Sequence, residues 1–103
     1  MRIVDLSHAL EPGMPSYPGW TAAACEKLIQ HRVALVGVDF ANVDDMNGHR
    51  RPAHTLLLGA GIPVVEHLCQ LDQLPPSGFR FFAVPPKVKG GTSFPVRALA
   101  LLS

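Results

Sequence analysis

A mixed α/β (α+β) domain of about five strands and two helices is the fold class this 103-residue sequence predicts, and three observations carry it. Two stretches have the composition of helices and recognisable start or stop residues. Several apolar runs of strand length lie between turn residues. Ten prolines punctuate the chain and exclude long continuous helices. Elements of both kinds interleave, the pattern of a sheet flanked by helices.

The elements follow in order. Ile3-Val4-Asp5-Leu6 reads as a short first strand. Pro12, Pro15 and Pro18 recur at every third residue in the segment 11–19, which therefore runs extended as an ordered loop. Thr21 is placed to cap a helix over Ala22–His31, where three alanines, Glu26, Lys27 and Leu28 are good helix formers. Val33–Phe40 is a near-continuous apolar run that suits a strand buried on both faces, with Asp39 at its carboxyl end. A polar loop over 41–52 leads to two helical turns at Ala53–Ala60, ended by Gly59 or Gly61. Ile62–Cys69 reads as the next strand, with Ile62, Val64, Glu66 and Leu68 on one face. Leu71–Leu74 suits a single helical turn, and Phe79–Val84 and Pro95–Leu101 are the last two strands.

Length sets the count at one domain, residues 1–103. A hydrophobic content of 48% with 17% charged residues belongs to a folded globular chain. The formal charge of +1 offers no basic patch for nucleic acid. No apolar run reaches the length of a membrane span. Met1-Arg2-Ile3-Val4-Asp5 lacks a signal-peptide core, so a cytoplasmic location is expected. Cys25 and Cys69 fall outside any C-x-x-C pattern and read as reduced packing residues.

Two residues stand out chemically. Glu66 falls in an apolar row between Val64 and Leu68, where a carboxylate must be paired, bound to a cation or partly protonated. His54 falls in the first turn of its helix, where the helix dipole disfavours the imidazolium and keeps the ring fit for service as a base or ligand. The joint at Gly59-Ala60-Gly61 can fold the two toward each other. A strand-end glutamate reaching water and a surface or capping histidine are the plainer readings. His8 after the first strand and Asp39 are further acid–base candidates. Tyr17, Trp20 and His49 are candidate substrate contacts, although packing explains the two aromatics equally well. His31 reads as structural, and Asp44 and Asp45 as solvated loop residues.

Several blocks resemble, in order, the cyclase family of bacterial-type kynurenine formamidases and related metal-dependent hydrolases. The run from Asp5-Leu6-Ser7-His8 to Pro18-Gly19 looks like the family's opening block. Leu35-Val36-Gly37-Val38-Asp39 with Asn42-Val43-Asp44 looks like its central strand and loop, and His54-x-x-Leu57-Leu58-x-x-Gly61-Ile62-x-x-x-Glu66 like its second ligand block. Leu71-Asp72-x-Leu74-Pro75, Gly78-Phe79-x-Phe81 and Lys87-x-x-Gly90-Gly91-x-x-x-Pro95-Val96-Arg97 resemble its closing blocks. The resemblance implies a trimmed swivelling β/β/α-type domain. The family's His-x-Gly-Thr-His-x-Asp cluster, its main ligand motif, occurs nowhere in these 103 residues. Trp20 instead leads directly into the helix that would follow that region.

The resemblance implies a small-molecule enzyme in which His54 and Glu66 carry acid–base chemistry on a compact organic substrate: cyclisation, amide or lactone hydrolysis, dehydration or isomerisation. The alternative it leaves open is a non-catalytic pseudoenzyme, a ligand-binding protein or a partner subunit. Two protein ligands are fewer than the three a catalytic zinc takes. The expectation is therefore no cofactor, with Zn or Mn bound only where an oligomer interface completes the site. Loss of strands exposes sheet edges and apolar surface, so a homodimer or higher homo-oligomer is expected.

Overall fold

Residues 1–7, 19–44 and 50–103 are described by the computed structural model. Most of the expected proline-rich loop, with His8, Tyr17 and His49, lies outside the described residues. In chain order the elements are β1 (Arg2–Asp5), α1 (Ala22–Gln30), β2 (Val36–Gly37), α2 (Pro52–Gly59), β3 (Val64–Val65), a 3₁₀ turn (Leu71–Gln73), β4 (Arg80–Val84) and β5 (Arg97–Leu102). The α+β class stands as expected, with five strands and two helices among the described residues. The strands divide, however, between two sheets: an antiparallel one ordered β1-β5-β4 and a parallel pair β2-β3. The chain forms two compact units, Met1–Ala9 with Leu68–Ser103, and Leu10–His67. Antiparallel pairing joins the two ends of the chain. The parallel pair in the middle needs a helical crossover, which α2 supplies.

The first unit is built on β5. Val4 lies opposite Ala100, which lies opposite Phe81. Val4, Ala98 and Ala100 are buried on that face. The other face carries Ile3, Leu99, Leu101, Phe82 and Val84 beside the ion pair of Asp5 and Arg97. Arg97 donates from Nε and Nη2 to Asp5 Oδ2 at 3.1 and 2.5 Å, and the Ser7 N–H donates to Asp5 Oδ1 at 3.0 Å. The Arg97 hydrogen bond first, and the Ser7 N–H second, hold the Asp5 pKa down at about 2. Both side chains are open to solvent, so the pair contributes little to stability. Its effect is to fix the corner at which β1 leaves the sheet. There Ser7 Oγ accepts the Ala98 N–H at 2.8 Å.

The second unit has the larger apolar core: Cys25, Val36, Val38, Val43, Ala53, Leu57 and Ile62, with Trp20, Leu28, Ile29 and Phe40 packed against them. The Thr21 hydroxyl caps α1 by accepting the Ala24 N–H at 3.2 Å. Both helices end in the same hydrogen-bonded turn. After α1, Arg32 N–H bonds Ile29 O and Val33 N–H bonds Leu28 O. After α2, Gly61 N–H bonds Leu58 O and Ile62 N–H bonds Leu57 O. This is the Schellman arrangement, whose left-handed residue is usually glycine. Gly61, at φ 77°, fits that rule and is one of the two stops the sequence offers; Arg32 adopts φ 54° without being glycine. The turn after α2 also brings buried Ile62 back into the cluster that holds Leu57.

The two middle strands are shorter than their apolar runs. In 33–40 only Val36 and Val38 are buried, while Leu35, Gly37 and Asp39 are exposed. The expected burial on both faces is therefore replaced by alternation. The ladder runs from Val36 N–H to Pro63 O and Val38 N–H to Val65 O, and His67 N–H to Phe40 O extends it at 2.8 Å. His67 sits at φ 64°, which ends the extended run that Ile62 began.

Candidate active site

Glu66 directly follows β3, and its side chain is half-buried. Its Oε2 accepts the Val43 N–H at 2.7 Å. Val43 is itself buried in the core, and its carbonyl accepts the Trp20 N–H at 2.8 Å. The carboxylate is thus tied to the segment that leaves β2. It is paired, as an anion beside an apolar row must be.

Asp44 is the next residue on that segment and is only 1% exposed. The Asn42 side chain accepts the Asp44 N–H at 2.9 Å and fixes its backbone. The Asp44 carboxylate then accepts three hydrogen bonds. Ala53 N–H donates to Oδ1 at 2.8 Å, His54 N–H to Oδ2 at 2.9 Å, and His54 Nδ1 lies 2.6 Å from the same Oδ2. Burial pushes this carboxyl's pKa up. The N–H groups of His54 and Ala53, with the His54 ring, outweigh burial and hold it below the ordinary value. Asp44 is therefore an ionised acceptor and not a solvated loop residue.

The other ring nitrogen of His54 faces the second carboxylate: Nε2 lies 3.4 Å from Glu66 Oε2. A neutral ring with its proton on Nδ1 presents a lone pair at Nε2, and an ionised carboxylate presents only lone pairs. Two acceptors do not bond each other. The pair is satisfied by a shared proton or by a third group, a water or a cation, that both atoms contact. The imidazole thus stands between two carboxylates, one buried and one half-exposed.

Of the residues singled out from sequence, the structure brings together His54 and Glu66. Asp39 is exposed on the run after β2. Trp20 is half-buried and meets Phe40 edge to face, with ring centroids 5.8 Å apart. Its tie to the site is the backbone bond to Val43. His8, His49 and Tyr17 lie outside the described residues. Asp44 was missed, yet a signal for it exists. Pro52 opens α2, and Arg51 at the N-cap makes no side-chain cap bond. The free N–H groups of Ala53 and His54 thus call for an acceptor from elsewhere in the chain.

No family model matches the sequence. The kynurenine formamidase of Salinibacter ruber is 42% identical over 67 residues, which cover 65% of this chain and 31% of that protein. Among solved structures, isatin hydrolase A from Ralstonia solanacearum superimposes with a TM-score of 0.75 at 36% identity, over 91% of this chain and 38% of the other. The chain is homologous to hydrolases of the cyclase family. A further structural relative, described as a potential metal-dependent hydrolase with cyclase activity, gives a TM-score of 0.66 at 26% identity over 78% of this chain and 39% of its own. The chain spans well under half the length of the cyclase-family relatives it matches.

That last relative raises the question of a metal. His54 Nε2 and Glu66 Oε2 are two donors that a cation could contact, and an Nδ1 held by a carboxylate is the usual outer partner of a ligating histidine. Two donors are nevertheless fewer than a catalytic zinc takes. Among the described residues, no group of three or more His, Cys, Asp or Glu side chains is placed to hold a metal ion. The described residues therefore supply two donor atoms and do not complete a metal site. No described helix is long and apolar enough to cross a membrane.

Proposed function

We propose that this chain is a small-molecule hydrolase in which His54 and Glu66 handle the protons while an amide or lactam bond of a compact organic substrate is cleaved. The convergence of His54 Nε2 and Glu66 Oε2 at 3.4 Å, on a ring fixed from its far side by Asp44, supports this reading. The relatives' names supply the substrate class. In this reading Nε2 takes a proton from water as the water oxygen attacks the carbonyl carbon. As the carbon–nitrogen bond breaks, the departing nitrogen receives that proton from the imidazolium. The Glu66 carboxylate holds the ring's positive charge between the two transfers. General acid–base help of this kind accelerates a reaction by about 10²–10⁴-fold. That suffices for an intrinsically reactive substrate such as a strained lactam or an activated formamide.

No step runs through a metal ion. Zinc or manganese would need donors from a second copy or from beyond the described residues. The reading is tested by assaying purified protein with isatin and with N-formylkynurenine, first in excess chelator and then with zinc or manganese added. Hydrolysis of either compound in chelator is expected. No hydrolysis under any of these conditions overturns the proposal, and hydrolysis only with added metal overturns its metal-free part.

Self-association belongs to the same reading. Ile3, Phe82 and Val84 share one face of the three-stranded sheet and are 65%, 45% and 75% exposed. Apolar patches of this kind mark interaction sites. A homodimer or larger homo-oligomer is expected by light scattering at micromolar concentration, and a mass of one chain would exclude it.

A further inference from the structure

We propose that Asp44 is a positioning residue that sets the protonation pattern of the His54 ring, keeping the proton on Nδ1 and leaving Nε2 to face Glu66. The inference deepens the hydrolase reading, since a general base needs a lone pair on the nitrogen that meets the reaction. It stands on geometry. The side chain is 1% exposed, and each of its oxygens is placed by a backbone N–H of the first turn of α2. Held in that way, Oδ2 lies 2.6 Å from Nδ1. A carboxylate only accepts, so the proton in this contact belongs to Nδ1. Arg51 Nη2 also approaches Nδ1, at 3.3 Å. An Nδ1 that carries a proton has no lone pair for a guanidinium, so the shorter, charge-assisted contact to Asp44 decides the pattern.

Two functions thus rest on one carboxylate. α2 opens on Pro52, which has no N–H, and Thr55 N–H already bonds Arg51 O. The two N–H groups between them, on Ala53 and His54, are the ones Asp44 takes. The helix start and the ring orientation are therefore set together. The carboxylate that satisfies the first amides of α2 is the one that meets Nδ1.

The test reads the ring nitrogens of His54 by long-range ¹H–¹⁵N correlation NMR on histidine-labelled protein, at about pH 8, above the ordinary histidine range. The wild-type chain is expected to show a protonated, pyrrole-type Nδ1. Asp44→Ala removes the acceptor that faces Nδ1 and leaves the Arg51 guanidinium, 3.3 Å away, as the donor beside it. In the folded variant Nδ1 should become largely pyridine-type, and turnover should fall at least tenfold in kcat with KM little changed. An unprotonated Nδ1 in the wild-type chain overturns the proposal, as does an Nδ1 still fully protonated in folded Asp44→Ala. The wild-type measurement needs neither a stable variant nor a substrate. Failure of the hydrolase reading and failure of this one are therefore separately visible.

Discussion

His54→Ala is expected to lower the rate of hydrolysis by about 10²–10⁴-fold, the range that general acid–base groups supply. The loss should fall on kcat more than on KM, because a proton carrier acts in the transition state. The fold of the second unit should survive. The Ala53 and His54 backbone N–H groups remain to meet Asp44, and the His54 side chain is not among the buried core residues. A steady-state comparison of wild type and variant on whichever substrate is hydrolysed reads the effect directly. Unchanged turnover would remove His54 from the chemistry.

The largest expected effect on stability lies one turn along the same helix. Leu57 is 0% exposed and belongs to the cluster that includes Ile62, Val36, Val38 and Cys25. Leu57→Ala deletes buried methyl groups and leaves a cavity, at a cost of about 2–5 kcal/mol. Its neighbour Leu58 is 53% exposed, and Leu58→Ala should change stability by no more than about 0.5 kcal/mol. Urea unfolding of the two variants provides the contrast, with the midpoint shifting for the first alone. A cost below about 1 kcal/mol for Leu57→Ala would mean that the core closes over the gap. For a domain whose total stability is about 5–15 kcal/mol, the expected loss is a substantial fraction.

What the sequence made legible was local. The start of α1 at Thr21 and the stop of α2 depend on residues within one turn of the event: Thr21 caps as expected, and of the two glycines the sequence offers as a stop, Gly61 takes the left-handed position. The α+β class also emerges from local patterns, because it requires only that helices and strands be told apart. The division of five strands between two sheets was not legible, since the apolar run 33–40 does not name its partner. Burial on both faces was a fair reading of Val33–Phe40. Yet β2 pairs only with β3 among the described residues, and its odd-numbered residues Leu35, Gly37 and Asp39 stay exposed.

At the site, His54 and Glu66 were legible because each is a polar residue where local pattern asks for something else. Asp44 was not, because a loop aspartate is ordinary until its partners are known. Those partners, Ala53 and His54, lie nine and ten positions away. The clue was the missing cap at Arg51, an absence that becomes informative only once α2 is known to begin at Pro52.

The most direct test of the central claim, that His54 and Glu66 act as one unit, is a double-mutant cycle on hydrolysis with His54→Ala, Glu66→Gln and the two combined. Glu66→Gln keeps an oxygen for the Val43 N–H and removes the charge beside Nε2. If the two residues share the proton work, each single variant is slow and the double variant is no slower than the worse single one, a strongly non-additive result. If the two losses multiply, or if either single variant retains wild-type turnover, the 3.4 Å contact is not a catalytic pair.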